Sequence, residues 1–249
     1  MNTYRPVSLA GLQLPAQRFF MTVEYDTNDA DEWVIHYRNL YSRPTTHNDM
    51  KDILETWERD TIFNELDNLI KGEEILGAVK ELKNNKAAGL DKIKNEMIKC
   101  SITSMKTLLQ KLFNKVLSTG CYPNSWSQGY IVSLFKSGCK SDLNNYRGIT
   151  ISSCLGKVFS AILNKRLVNF LASRNIMHDT QIGSCKGSRT SDHIYVLKSL
   201  IDKYTKDKGR KNRKLYAAFV DFRKALDLVW REALYLKLLQ VGVGSNSIK

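Results

Sequence analysis

One stretch constrains this chain more than any other: Lys214 to Gln240, KLYAAFVDFRKALDLVWREALYLKLLQ. Leu215 to Val220 is an apolar run without the alternation of a half-wet strand, which predicts a central strand covered on both faces. Asp221 stands where that strand leaves the sheet, and a second acid, Asp227, follows six residues later. Asp227 is placed to N-cap a helix from Leu228, and Gly242 to close that helix in the left-handed conformation. A carboxylate at the end of a buried strand can hold Mg²⁺ over a sheet, because the hard ion takes fixed oxygen ligands. The same acid can equally start a turn.

Charge is divided unevenly along the chain. Residues 1–80 hold 8 Lys and Arg against 14 Asp and Glu, whereas residues 81–249 hold 30 against 11, for a net charge of +13. A basic field on the part that contains the apolar run favours a polyanion, and nucleic acid is the usual one. A plain solvated basic surface is the alternative. Hydrophobic residues at 43% and aromatic residues at 10% exclude a disordered chain. Five dispersed cysteines (Cys100, Cys121, Cys139, Cys154, Cys185) form no CxxC, which predicts a reducing compartment and no structural zinc. No apolar run reaches the roughly 18 residues of a membrane span, and the N-terminus lacks a signal-type apolar core. The expectation is an intracellular protein, nuclear or cytoplasmic, that is not secreted and has no membrane partner.

Residues 1–31 offer no firm element. Helical periods follow, the first from Glu32 through Trp33, Tyr37, Leu40 and Tyr41 up to Pro44. Another starts at Met50, with Ile53, Leu54 and Trp57, and continues toward Leu69; a third carries Ile75, Ala78, Val79 and Leu82. Asn84 to Glu96 is turn-rich, with Asp91 placed to cap a helix that runs through Ile98. Leu108 to Leu117 reads as a helix closed by Gly120. Trp126 is an anchor after the Pro123–Asn124 turn, and Tyr130 to Phe135 is a strand with Lys136 at its exit. A second short strand, Ile149 to Ile151, follows Arg147 and Gly148. Lys136 and Arg147 therefore flank one polar loop. There they can clasp a phosphate chain, Arg as a fork and Lys as a point charge, or stand solvated.

Gly156 to Ala172 is a packing helix with Lys165 and Arg166 outward. Gln181 and Gly183 lead into a turn with Lys186, Gly187 and Arg189 that lacks the GxxxxGK[ST] pattern. A helix from Asp192, with Ile194, Leu197, Leu200 and Ile201, then runs into a basic segment. Eight of the residues from Lys198 to Lys214 are Lys or Arg.

Four of these segments, in order, resemble the reverse transcriptase domain of non-LTR (LINE-type) retrotransposons, over residues 73–249. They are NKAAGLDKI with Glu96, WSQGYIVSLFK with NYRGI, QIG with the loop around Arg189, and FVDFRKALD. The resemblance implies an α/β (α+β) polymerase right hand: a mostly helical acidic extension over 1–72, fingers over 73–205, and the start of a palm from 206 to 249. The abrupt ending GVGSNSIK agrees with a domain truncated within the palm. The resemblance makes Asp221 the first catalytic, metal-binding aspartate, with the backbone oxygen of Phe222 as a further ligand, in a site that uses two Mg²⁺ ions. It sets Lys136 and Arg147 on the triphosphate of the incoming dNTP and Leu226 at the gate that faces its sugar. Gln181, Gly183, Lys186 and Arg189 would follow the template, and Asp91, Glu96 and Asp227 would serve structural roles. The implied partners are an RNA template, a DNA primer and dNTP. The open edge of the palm sheet would await a protein partner or a second copy.

The sequence departs from the family pattern at Ala88 (Pro or Ser in the family), Gly148 (often Pro, so a looser loop is expected), Ser184 (an aromatic) and Leu226 (Phe or Tyr). The family's second catalytic segment, aromatic-x-Asp-Asp, occurs nowhere in the 249 residues. The expectation is an RNA-directed DNA polymerase domain that is inactive alone. The alternative is a non-catalytic nucleic-acid-binding protein built on the fingers layer.

Overall fold

The run YIVSLF and the β-branched GITI sit on either side of a polar loop, which is how a hairpin is written in sequence. The computed structural model describes residues 7–8, 19–22, 30–41, 64–185, 187–205, 215–222 and 224–243, and in it the hairpin forms. Strand β3 (Gly129–Phe135) pairs antiparallel with β4 (Tyr146–Ser152) from Gly129 opposite Ser152 to Phe135 opposite Tyr146. Two strands come from the segment to which the sequence assigned no element. β1 (Val7–Ser8) pairs antiparallel with β2 (Phe19–Thr22), and β2 lies parallel to β3 with Phe19 opposite Gly129. The sheet order is β1-β2-β3-β4, and the described fold is a mixed α/β one. The chain divides into two compact units, Met1–Phe170 with Leu226–Lys249, and Leu171–Ala225.

In the first unit, helix α1 (Ala30–Tyr41) follows the expected period and buries Trp33, Val34 and Tyr37 against Ile131 and Tyr146 of the hairpin. Helices α2 (Gly72–Glu81), α3 (Asn95–Thr119) and α4 (Cys154–Ser173) build a second core. Phe113, Ile75 and Val158 are fully covered there, and Trp126 of the one-turn helix Asn124–Ser127 closes it. Phe113 meets Trp126 edge-on, with 5.8 Å between ring centroids.

Helix α3 replaces two shorter expected helices. The polar stretch SITSMKT had masked its continuity, because Ile98 and Leu109 carry the buried stripe across it. Its N-cap position is Lys94, so Asp91 does not cap it; Gly120 ends it at φ 68° as expected. Of the helical period from Met50 to Leu69, the described residues include one turn, Asn64–Asp67; the remainder lies outside them.

Arg166 was expected to face outward, and it does the opposite. All five of its N–H groups donate inside the fold. Nε and Nη2 fork onto Glu74 at 2.7 and 2.8 Å, Nη1 reaches the carbonyls of Leu66 (2.9 Å) and Asn68 (2.6 Å), and Nη2 reaches Leu69 (3.2 Å). A rigid fork at this point satisfies a carboxylate and a turn of backbone at once, which a helix-surface charge would not. The same turn is held from α3. Asn114 accepts from Ile70 N at 2.6 Å and donates to Ile70 O at 3.1 Å, copying a strand's hydrogen bonds with a side chain.

The segment from Leu226 rejoins the first unit. Helix α6 (Arg231–Gln240) begins three residues later than expected, with Trp230 rather than Asp227 at its N-cap position. Its end is as expected: Gly242 has φ 90°, with Gly242 N donating to Leu239 O and Val243 N to Leu238 O, both at 2.9 Å. That pair of bonds is a Schellman closure.

In the second unit, α5 (Thr190–Thr205) buries no residue, and Ile194, Tyr195, Val196, Leu200 and Ile201 are exposed. The expected central strand is not formed there. Leu215 to Val220 pairs with no strand among the described residues, and Tyr216, Phe219 and Val220 are 85%, 83% and 77% exposed. A strand exists only through the ladder of a neighbour that satisfies its backbone, and without that neighbour the run has no regular structure and stays wet. No helix of the described residues is long and apolar enough to cross a membrane.

Candidate functional site

The hairpin positions the two cations. Arg147 pairs with Leu134, and the ladder continues one rung past β3, where Lys136 N donates to Asn145 O at 2.9 Å. Directly opposed residues of an antiparallel pair share a face, and every second residue along a strand returns to it. Leu134, Lys136, Asn145, Arg147 and Ile149 therefore lie on one face of the hairpin. Ile131, Ser133, Phe135, Tyr146 and Gly148 lie on the other, which α1 covers. Lys136 and Arg147 are diagonal neighbours, about 7–8 Å apart at the backbone. Both are exposed, and Leu134 and Ile149 beside them are 56% and 46% exposed. Among the described residues no hydrogen bond or ion pair engages either head group. Two free cations on an open, partly apolar platform can receive a polyphosphate and the flat body attached to it.

The connecting loop is a fixed object. Gly138 takes φ 98°, Asn145 Nδ2 donates to Cys139 O at 2.9 Å, and Tyr146 Oη donates to Lys140 O at 3.0 Å. Asp142 accepts from Asn144 N at 2.9 Å and starts a 3₁₀ turn at Leu143–Asn145. Ser141 Oγ lies 3.0 Å from Cys139 Sγ, and that hydrogen bond holds the exposed thiol below its ordinary range.

Asp91 and Glu96 organise the approach to α3. Asp91 Oδ1 accepts from Ile93 N at 3.1 Å, and Oδ2 accepts from Ser153 Oγ at 2.7 Å, tying the 84–94 loop to the exit of β4. Gly89 lies against the same exit: a Cβ there would stand 2.9 Å from the backbone of Ser152 and Ser153. Glu96 accepts from Asn85 N, whose residue is left-handed at φ 57°, and that bond lowers the carboxyl's pKa.

Gly148 was read as loosening the loop. It lies instead inside β4, opposite Ser133, with the Tyr37 ring directly behind it. Leu226 is 77% exposed, and Asp227 beside it is close enough for its charge to act on Tyr37 and Tyr41. Nothing local in the sequence announces that Tyr37 meets Gly148; the contact spans 111 positions of chain.

Asp221, Phe222, Gln181, Gly183 and Arg189 belong to the second unit, and Lys186 lies outside the described residues. Asp221 is exposed, and Phe222 is 76% exposed. Gln181 Nε2 donates to Gly183 O at 3.3 Å, and Arg189 N donates to Asp192 Oδ2 at 2.7 Å at the start of α5. Among the described residues no three His, Cys, Asp or Glu side chains gather as a metal-holding group.

No protein-family profile matches the chain. Curated proteins do. It is 29% identical over 170 residues to a probable RNA-directed DNA polymerase from transposon BS of Drosophila melanogaster, across 68% of this chain and 18% of that protein. It is 27% identical over 171 residues to the probable RNA-directed DNA polymerase from transposon X-element of the same fly, across 67% and 18%. With the RNA-directed DNA polymerase from its mobile element jockey, identity is 26% over 168 residues, across 66% and 18%. The chain thus spans less than a fifth of the length of these relatives. At this moderate identity it is homologous to the reverse transcriptase domains of non-LTR retrotransposons.

Proposed function

We propose that this chain is the nucleotide-gripping part of an RNA-directed DNA polymerase of a non-LTR retrotransposon, with fingers over 73–205 and the beginning of a palm over 206–249. The observation that carries the reading is the placement of Lys136 and Arg147 on one open face of a rigid hairpin, backed on the other face by α1. On that face they neutralise the triphosphate of an incoming dNTP. Leu226 borders the sugar with a smaller shape than an aromatic ring, and Gln181, Gly183, Lys186 and Arg189 follow the template strand. Asp221 is the palm's first catalytic carboxylate. In the complete polymerase Mg²⁺ supplies the Lewis acidity for nucleotidyl transfer. Asp221 with the backbone oxygen of Phe222 does not make a two-magnesium site, and the 249 residues contain no Asp-Asp pair to complete one. The proposed activity of the chain itself is therefore binding: dNTP at the hairpin, and primer–template through its basic surface.

The test is equilibrium binding of a fluorescent dNTP to the purified chain. Lys136→Ala and Arg147→Ala each remove a charge-assisted contact and are expected to weaken binding about tenfold. Affinity that is unchanged in the double variant refutes the reading. Binding of dNTP separates the second reading, a non-catalytic nucleic-acid-binding protein, and primer extension on an RNA template beside an Asp221→Ala control reports any transfer by these residues. Salt-sensitive binding of primer–template without dNTP binding supports that second reading.

A further inference from the structure

Behind the hairpin stands an aromatic column. Trp33, Tyr37 and Tyr41 stack along α1, with centroids 6.0 Å apart at 21° and 5.9 Å apart at 12°. Trp33 meets Tyr146 of β4 edge-on at 4.8 Å, and Tyr146 meets Phe135 of β3 at 5.2 Å. Tyr37 touches both halves of one rung. Its hydroxyl is 3.0 Å from Ser133 Oγ, and its ring lies over Gly148, the residue paired with Ser133. A Cβ at Gly148 would stand 2.7 Å from Tyr37 Cε1, 3.1 Å from Tyr41 Oη and 3.2 Å from Ile131 Cγ2. Tyr37 is 1% exposed and held between two rings, so it has nowhere to retreat; the strand would have to move. The residue next to Gly148 is Arg147, whose side chain leaves from the opposite face. The same two tyrosines also feel the charge of Asp227, the neighbour of Leu226, and Tyr41 feels that of Arg231.

We propose that Tyr37 and Tyr41 are positioning residues for nucleotide binding, with the Tyr37 ring seated on Gly148 to set where Arg147 meets the triphosphate. Residues 30–41 are then a working part of the nucleotide site. The same contact accounts for glycine at 148, because any larger residue would meet the ring. This inference rests on the nucleotide reading above.

The experiment compares three affinities of the full chain: for a fluorescent dNTP, for an RNA–DNA duplex, and for the dNTP after a second-site change. Gly148→Ala is expected to weaken dNTP binding about tenfold through misplacement of Arg147, with duplex affinity unchanged. Gly148→Ala combined with Tyr37→Leu gives the new methyl room and is expected to recover most of that loss. A general folding defect would lower both affinities and would deepen with the second substitution; that result, or unchanged dNTP affinity in Gly148→Ala, overturns the proposal. Should Gly148→Ala fail to fold, Tyr37→Phe keeps the ring and removes the bond to Ser133. It is expected to weaken dNTP binding about threefold to tenfold, and no change overturns the proposal. The Lys136→Ala/Arg147→Ala variant keeps the two readings apart. If it binds dNTP normally, or if the unaltered chain binds none, the nucleotide reading itself has failed and the positioning role falls with it.

Discussion

Arg166→Ala is the substitution whose cost the structure defines best. The guanidinium spends all five donors, two on the Glu74 carboxylate and three on the carbonyls of Leu66, Asn68 and Leu69. Its side chain is 11% exposed and that of Glu74 is 29%, so the pair is neither dry nor at the surface. Surface ion pairs contribute about 0–1 kcal/mol, whereas removing one partner of a buried pair costs about 3–5 kcal/mol. The carbonyls can recover water once the arginine is gone, which pulls the value toward the lower end. We expect a loss of about 3 kcal/mol, read as a fall in the urea midpoint at unchanged m-value. The midpoint temperature should drop by about 6–12 °C, at about 2–4 °C per kcal/mol for a chain of this size. Arg166→Lys keeps the charge and loses the fork, so it should recover less than half of the loss.

The pH dependence supplies an internal check. The hydrogen bond from Arg166 holds the Glu74 carboxyl below the usual carboxylate range, against a smaller upward push from burial. A folded pKa below the unfolded value contributes stability that is present above the unfolded pKa, about 4.3, and is lost as pH falls through the folded one. The difference between the wild-type chain and Arg166→Ala should therefore be largest near neutral pH and narrow below about pH 4. A loss under about 0.5 kcal/mol, the level of an exposed pair, with no such narrowing, would refute the clamp.

Other expectations follow from the same geometry. Gly89→Ala presses a methyl onto the backbone at Ser152 and Ser153 and should cost about 1–3 kcal/mol by thermal melting, since backbone cannot rotate away. Burial, and next the charge of Asp227, push the Tyr41 phenol up to about 12. A raised folded pKa gives stability that is complete below the unfolded pKa, about 10, and is lost as pH rises through the folded value; Tyr41→Phe should flatten that alkaline loss in a melting series. Limited proteolysis followed by mass spectrometry should cut within Leu215 to Phe222 before it cuts α3, because that run is exposed and pairs with no strand among the described residues; full protection there would refute this order.

What could be read in advance was local. The α2 stripe, the closing glycines at 120 and 242, the hairpin strands and the two cations at its loop all follow from periodicity or from a residue's own backbone preference. What could not be read was set by partners distant in sequence. Arg166 looks like any helix-surface charge until Glu74, 92 positions away, and a turn of carbonyls are brought beside it. β2 is a short apolar stretch in a Pro-flanked segment, and only its parallel alignment with β3 makes it a strand. The Leu215–Val220 run failed in the opposite sense. Its composition describes the environment such a segment needs, two covering faces, and composition cannot supply the neighbours.

The two outcomes at glycine 148 and at the Leu215 run have one physical origin. A glycine and an apolar run are both requests for a neighbour: the first allows one to come close, and the second needs one in order to be dry. At Gly148 the neighbour is present, so a position that looked like slack is among the most confined in the sheet. At Leu215–Val220 no strand of the described residues answers, and side chains suited to a core stand in water. Exposed apolar area of that kind is lost on binding anything that covers it, with a favourable change on the order of 25 cal/mol per Å². The run is therefore a place where covering structure would stabilise the chain. A titration of stability against an added covering segment should protect residues 215–222 from proteolysis and leave the hairpin face that α1 covers unchanged.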